Sequence, residues 1–398
     1  MTNLPKSLFL NKNAKNTPLI IHGQCVFIFK VTKNVKEIVF SLNNTDKVNN
    51  IFVKFNTKKI VVYNSNLNET YVDNNNKSGL IDNEDAIYWF SFDSQNQILK
   101  AGIGEARPDT IIYEYDFSYT FKEKKYEKNK IYLESFTNLK YYENILPIKL
   151  LRDPIVSNIP LKIKNTNELT MNDVAENKYL PHSNLSQTSQ QLYDCISGTK
   201  FILDDDDFPD FSKAIEYSIA TPGLWCHEKL KSKSTEFNPS TPDLNETYLR
   251  ITLGKNSGES PGIPYVLEIW PSNHYSPIHS HAATDAIIRV LYGEINVKLF
   301  PFLSKKTIEP FGTKVFKKND VTWISPELNQ VHQLINLNED STCITIQCYM
   351  YGEKNRIHYD YFDYISEDNK LEQYEPDSDM DFVDFKLLMK KEWTNKSK

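Results

Sequence analysis

The stretch SPIHSHAATDAIIRVLYGEINVKLF, Ser276 to Phe300, places His279 and His281 two residues apart at the head of a strand-like run. On a strand that spacing puts both imidazoles on one face. His332 opens a later strand in ISPELNQVHQLIN, and closure of a sheet can bring it beside the first two. Three neutral imidazoles on one barrel wall make a facial metal site with its opposite side open, a donor set that suits iron, zinc, copper or nickel. His274 lies in the turn before the pair and is read as a turn residue, not a ligand.

The elements that must carry these side chains read as short strands. YVLEIWP, DAIIRVLYG, INVKLFPF, VTWISP, VHQLINL and STCITIQCYMY follow one another with regular turns, a density that implies a small antiparallel barrel or jelly roll. Upstream, FSKAIEYSIATPGLWCHEKLKSK reads as a helix, a break at Thr221-Pro222-Gly223, and a second helix. The run LDDDDFPDF before it lacks the alternating ligands, glycine and terminal glutamate of a calcium loop, and reads as an acidic turn capping the next helix. Residues 160–200 are polar with little apolar period and read as a linker or extended segment. From residue 18 to about 145, runs such as QCVFIFKV, KEIVFSL, NIFVKFN and KIVVYN give a β-sandwich.

The chain has 398 residues, long for one domain. A net charge of -6 leaves no basic face to neutralise phosphates, which argues against nucleic acid as a partner. There is no apolar run long enough for a signal peptide or a membrane span. The five cysteines are scattered and odd in number, which fits free thiols in a reducing, cytoplasmic setting.

Two resemblances sharpen this reading. PIHSH, an apolar strand to Gly293, and the later P-x5-H resemble the two cupin motifs. Cupins in general offer a glutamate on the first strand; that position is Ala286 here, and alternation aims the neighbouring Asp285 at the opposite face. Three histidines without a carboxylate resemble the cysteine dioxygenase branch, the thiol dioxygenases, over roughly residues 205–365. In that branch a Tyr-x-Arg stretch, here Tyr248 to Arg250, supplies the arginine that holds the substrate carboxylate. TIQCY, Thr345 to Tyr349, matches the stretch that carries the active-site tyrosine, Tyr349, but Gln347 replaces the family histidine. Ala286 also stands where animal members place a crosslinking cysteine. The resemblance implies Fe(II) on His279, His281 and His332, substrate contacts from Arg250, Tyr248 and Tyr349, and a hydrogen bond donated by Tyr349 to the reactants. Separately, AIYWFSFDSQNQILKAGIGEARPDTIIYEYDF, Ala86 to Phe117, resembles the lectin-like β-sandwich module first described in farnesoic acid O-methyltransferase.

The expectation is therefore a mainly β protein: a β-sandwich over 1–150, a linker over 151–204, a cupin (RmlC-like jelly roll) domain with a short helical lead-in over 205–370, and a tail over 371–398 able to form an amphipathic helix. The expected function is oxidation of a small thiol such as cysteine to its sulfinate with O2. Gln347 joins Arg250 and Tyr349 as the expected catalytic residues. A glycan or protein partner would bind through the N-terminal domain. The competing expectation is a non-catalytic cupin and β-sandwich protein with a structural or glycan-binding role.

Overall fold

The computed structural model describes residues 4–11, 15–44, 50–65, 69–72, 79–119, 126–141, 144–253, 265–281, 283–306, 308–350 and 361–396. Strand outweighs helix, 41% to 19%, so the chain is mainly β as the short β-branched runs imply. It divides into two compact units, Met1–Asn158 and Ile159–Lys398.

The first unit is a sandwich of two six-stranded sheets. One is built around Gln24–Val31 and Ile87–Asp93, the other around Glu37–Asn44 and Asn50–Asn56. Alternation sends Phe27, Phe29 and Phe90 of the first sheet against Phe40 and Phe55 of the second, and Phe29 and Phe40 have ring centroids 4.7 Å apart.

The second unit carries the histidines. One sheet runs, in spatial order, through Val321–Ile324, Asp285–Tyr292, Cys343–Met350, Tyr265–Trp270 and Leu249–Leu253. The other runs through Gly312–Lys317, Glu294–Leu299, Val331–Ile335 and Ile278–Ser280, then Phe362–Ile365 and Leu371–Tyr374. Three hairpins join neighbours in the chain, Leu249–Leu253 with Tyr265–Trp270, Glu294–Leu299 with Gly312–Lys317 and Phe362–Ile365 with Leu371–Tyr374, while the other strands between them cross from sheet to sheet and pair with partners distant in sequence, as Tyr265–Trp270 does with Cys343–Met350. That order is a double-sheet jelly roll. Gly293 makes one crossing possible: its φ is +67°, and a Cβ there would lie 2.4 Å from the Thr342 carbonyl oxygen. Gly293→Ala is expected to cost about 2 kcal/mol or more, from the left-handed backbone and the clash together, read as a lower urea midpoint.

The first sheet of this unit is buried on both faces, and helices cover the outer one. Phe211–Ala220, Trp225–Ser232 and Phe382–Asn395 lay Phe211, Ile215, Leu230, Phe385 and Met389 against Leu249, Ile251 and Ile344. Asp204 caps the first of these helices by accepting from the Ser212 amide at 2.7 Å. Asp205 and Asp207 pair with Lys386 on the C-terminal helix. The aspartate run thus caps one helix and tethers another.

Two expected boundaries change. Residues 159–204 are not a linker: Ile163–Lys164 and Leu180–Pro181 extend the first sheet, and the helix Gln187–Ile196 buries Leu192 and Ile196 on it. The polar residues that suggested a linker are contact residues, because the buried Asp285 carboxylate accepts from Ser189 Oγ at 2.7 Å and Ser186 Oγ at 3.1 Å. Residues 371–396 likewise belong to this unit, as an edge strand, a short parallel pairing at Met380–Asp381 and the C-terminal helix. Among the described residues no helix is long and apolar enough to cross a membrane.

Candidate metal centre

His279 and His332 are direct cross-strand partners, so sheet register alone brings them together. His281 follows two residues on, beyond the paired Ser280 and ahead of a turn in which Ala283 adopts a left-handed φ of 64°. The ring centroids of His279 lie 4.8 Å from His281 and 4.5 Å from His332. The Nε2 atoms of His279 and His281 are 3.1 Å apart, and one ligand nitrogen from each of the three residues falls within 4.8 Å of the others. For metal–nitrogen bonds of about 2.1 Å, neighbouring ligands at right angles are about 3 Å apart, so the first two already match.

The tautomers are set by the backbone. His279 Nδ1 lies 2.9 Å from the Pro277 carbonyl and His332 Nδ1 lies 3.1 Å from that of Asn329. A carbonyl only accepts, so both Nδ1 atoms carry the hydrogen and both Nε2 lone pairs are free for a metal. Burial holds His332 at about 4, and burial with the neighbouring imidazoles holds His279 and His281 well below the ordinary histidine value. All three are neutral near pH 7, the form that ligates. His274 stands apart, its Nδ1 held by the Thr247 carbonyl at 2.9 Å.

This has a measurable cost in acid. The unfolded chain takes protons on these histidines near pH 6.5, whereas the native chain resists to about pH 4 at His332. Metal-free protein is therefore expected to be fully stable above pH 6.5 and to lose stability as pH falls toward 4. His332 alone contributes up to about 3 kcal/mol, checked by urea titrations at stepped pH.

Behind the triad lies a polar chain inside the apolar barrel. The Tyr349 ring stacks on His281 at 5.3 Å. Arg250 Nη1 donates to Glu268 Oε1 at 2.6 Å, with both side chains only 6% exposed. Gln347 Nε2 donates to Glu268 Oε2, and the Tyr349 hydroxyl donates to Gln347 Oε1. Burial works against the Arg250 charge, but Glu268 and the surrounding tyrosines outweigh it and hold the guanidinium above its usual value. Burial raises Glu268, opposed by Arg250, and raises Tyr349 well above an ordinary phenol. Tyr248 is buried and stacked on Trp270 at 4.3 Å. Ala286 is the ladder partner of Tyr349 and contributes only a methyl group. A mainly apolar cavity bounded by Ile288, Phe316, Trp323, Ile324 and Leu334 also borders His332.

The structure thus brings His279, His281, His332 and Tyr349 together and joins Arg250, Tyr248 and Gln347 behind them. Two sequence expectations change. Arg250 is already paired within the chain, and the Tyr349 proton is directed to Gln347 rather than into the site. The residue that sequence reasoning missed is Glu268. Its mark was a lone carboxylate in YVLEIW, but its meaning depends on register, which sets it directly opposite Arg250. His358 and Tyr359, in the stretch RIHYDYFDY from Arg356 to Tyr364, lie outside the described residues.

No protein-family model matches the chain, and no curated protein matches it. Among solved structures it is similar to the cupin domain of Schizosaccharomyces pombe Cnp3, at 14% identity over 26% of this chain and 60% of that one, with a TM-score of 0.21. A cupin domain from Bordetella pertussis matches at 12% identity over 27% of this chain and 97% of that one, TM-score 0.21. An oxalate oxidase in complex with glycolate matches at 16% identity over 28% and 53%, TM-score 0.21. The chain spans less than two thirds of the first and third of these. Overlaps this shallow add no weight; the jelly-roll architecture rests on the strand order of the two sheets.

Proposed function

We propose that the second unit is a metal-dependent oxygenase of small thiols, resembling the thiol dioxygenases, with Fe(II) held by His279, His281 and His332 in a cytoplasmic setting. The observation that supports it most is the triad itself: three neutral imidazoles, two with Nε2 lone pairs set free by backbone carbonyls, with Ala286, the ladder partner of Tyr349, at the position where the cupin resemblance would put a ligand carboxylate. Iron bound there would bring a thiolate and dioxygen together so that both oxygen atoms end on sulfur as a sulfinate. The protein's own part is positional. Pro277 and Asn329 hold two rings in orientation, Tyr349 packs on the third, and Glu268 with Gln347 fixes Tyr349. The apolar barrel excludes water from the reactants.

Protein reconstituted with Fe(II) without oxygen and desalted should retain close to one iron per chain. It should then consume O2 with at least one of cysteine, cysteamine and 3-mercaptopropionate, with sulfinate as product by mass spectrometry. Retention of iron without uptake on any thiol rejects the thiol reading; failure to retain any metal rejects the site.

A further inference from the structure

We infer that the site beside the histidine triad takes a small aminothiol lacking a carboxylate, because the chain's own Glu268 already occupies the guanidinium that would receive one. This rests on the thiol reading above and narrows it. Arg250 and Glu268 are direct ladder partners on adjacent strands, so register rather than side-chain freedom brings them together. Their contact is 2.6 Å and both are buried, and the pair has no net charge to offer an acid. A substrate carboxylate seeking Arg250 would arrive beside the Glu268 carboxylate in a site that water cannot screen.

The hydrogen-bond directions lead to the same chemistry. Glu268 Oε2 can only accept, so the Gln347 amide must present its NH2 to it. The Gln347 oxygen then faces Tyr349 and takes the hydroxyl proton. That leaves Tyr349, whose ring lies against His281, with lone pairs and no hydrogen to offer the site. A group bound there has to bring the hydrogen. An ammonium or neutral amine does so; a carboxylate cannot. Glu268 and Gln347 act here as positioning residues that set which substrate charge the site accepts.

The test is a binding measurement on full-length protein loaded with Co(II) without oxygen, titrated with cysteamine, 3-mercaptopropionate and L-cysteine, and followed by cobalt–thiolate absorption. The wild type is expected to bind cysteamine at least about tenfold tighter than 3-mercaptopropionate, with L-cysteine no tighter than cysteamine. Glu268→Gln frees the Arg250 charge and should reverse that order. Arg250→Gln/Glu268→Gln keeps the net charge and should bring the two affinities within about threefold of each other. If Glu268→Gln does not fold, the wild-type ranking decides. Equal or tighter binding of 3-mercaptopropionate by the wild type, or an unchanged order in Glu268→Gln, overturns the aminothiol inference and leaves the thiol reading in place. Cobalt uptake with no thiolate band for any of the three overturns both.

Discussion

His332→Ala should weaken metal retention by more than about 100-fold, since even loss of a residue that merely orients a ligand costs 10- to 100-fold. His332 is the cross-strand partner of His279, and its Nδ1 is committed to the Asn329 carbonyl, so its Nε2 has one role left to play. The variant is expected to fold: the lost imidazole is neutral and borders an existing apolar cavity. Its metal content after gel filtration, measured by plasma mass spectrometry, should drop to background. His274→Ala is the control. That ring is bound to the Thr247 carbonyl away from the triad, and its loss should leave metal content unchanged. Metal retained by His332→Ala at the wild-type level would remove His332 from the ligand set.

The second large effect belongs to the buried ion pair. Arg250→Met leaves the Glu268 carboxylate without its cation, and Glu268→Met leaves the guanidinium without its anion, both in a dry interior. Each single change is expected to cost roughly 3–5 kcal/mol. The double change Arg250→Met/Glu268→Met removes both charges, fills similar volume, and should cost far less than the sum, possible only if the pair is coupled. Urea denaturation of the four proteins closes the cycle. Single losses that simply add would show that the two residues act independently, which the 2.6 Å contact does not allow.

The histidines were legible because their chemistry is local. The i, i+2 spacing survives any detail of the barrel, and His332 sat at the head of a strand whose pairing with the first pair needed only closure. The outer helices at 211–232 were legible for a similar reason, since their apolar period and the Thr221-Pro222-Gly223 break are properties of the segment. Glu268 was not legible, because a carboxylate in an apolar strand gains its meaning from the residue opposite, and register is a property of two strands. Residues 159–204 misled for a related reason. Ser186 and Ser189 look solvent-seeking in sequence, yet they face inward to satisfy Asp285. Polarity marked a buried contact there instead of a free surface.

The C-terminal helix has a consequence for the order in which the molecule can be made. Phe385 and Met389 help seal the outer face of the strands that carry Arg250 and Glu268, and Met380–Asp381 extends the same sheet beside Leu249–Leu253. During synthesis that face lacks this last part of its cover until residue 389 has left the ribosome and folded back across more than a hundred residues of already finished chain. The sheet that backs the histidines is therefore sealed only after translation has passed them.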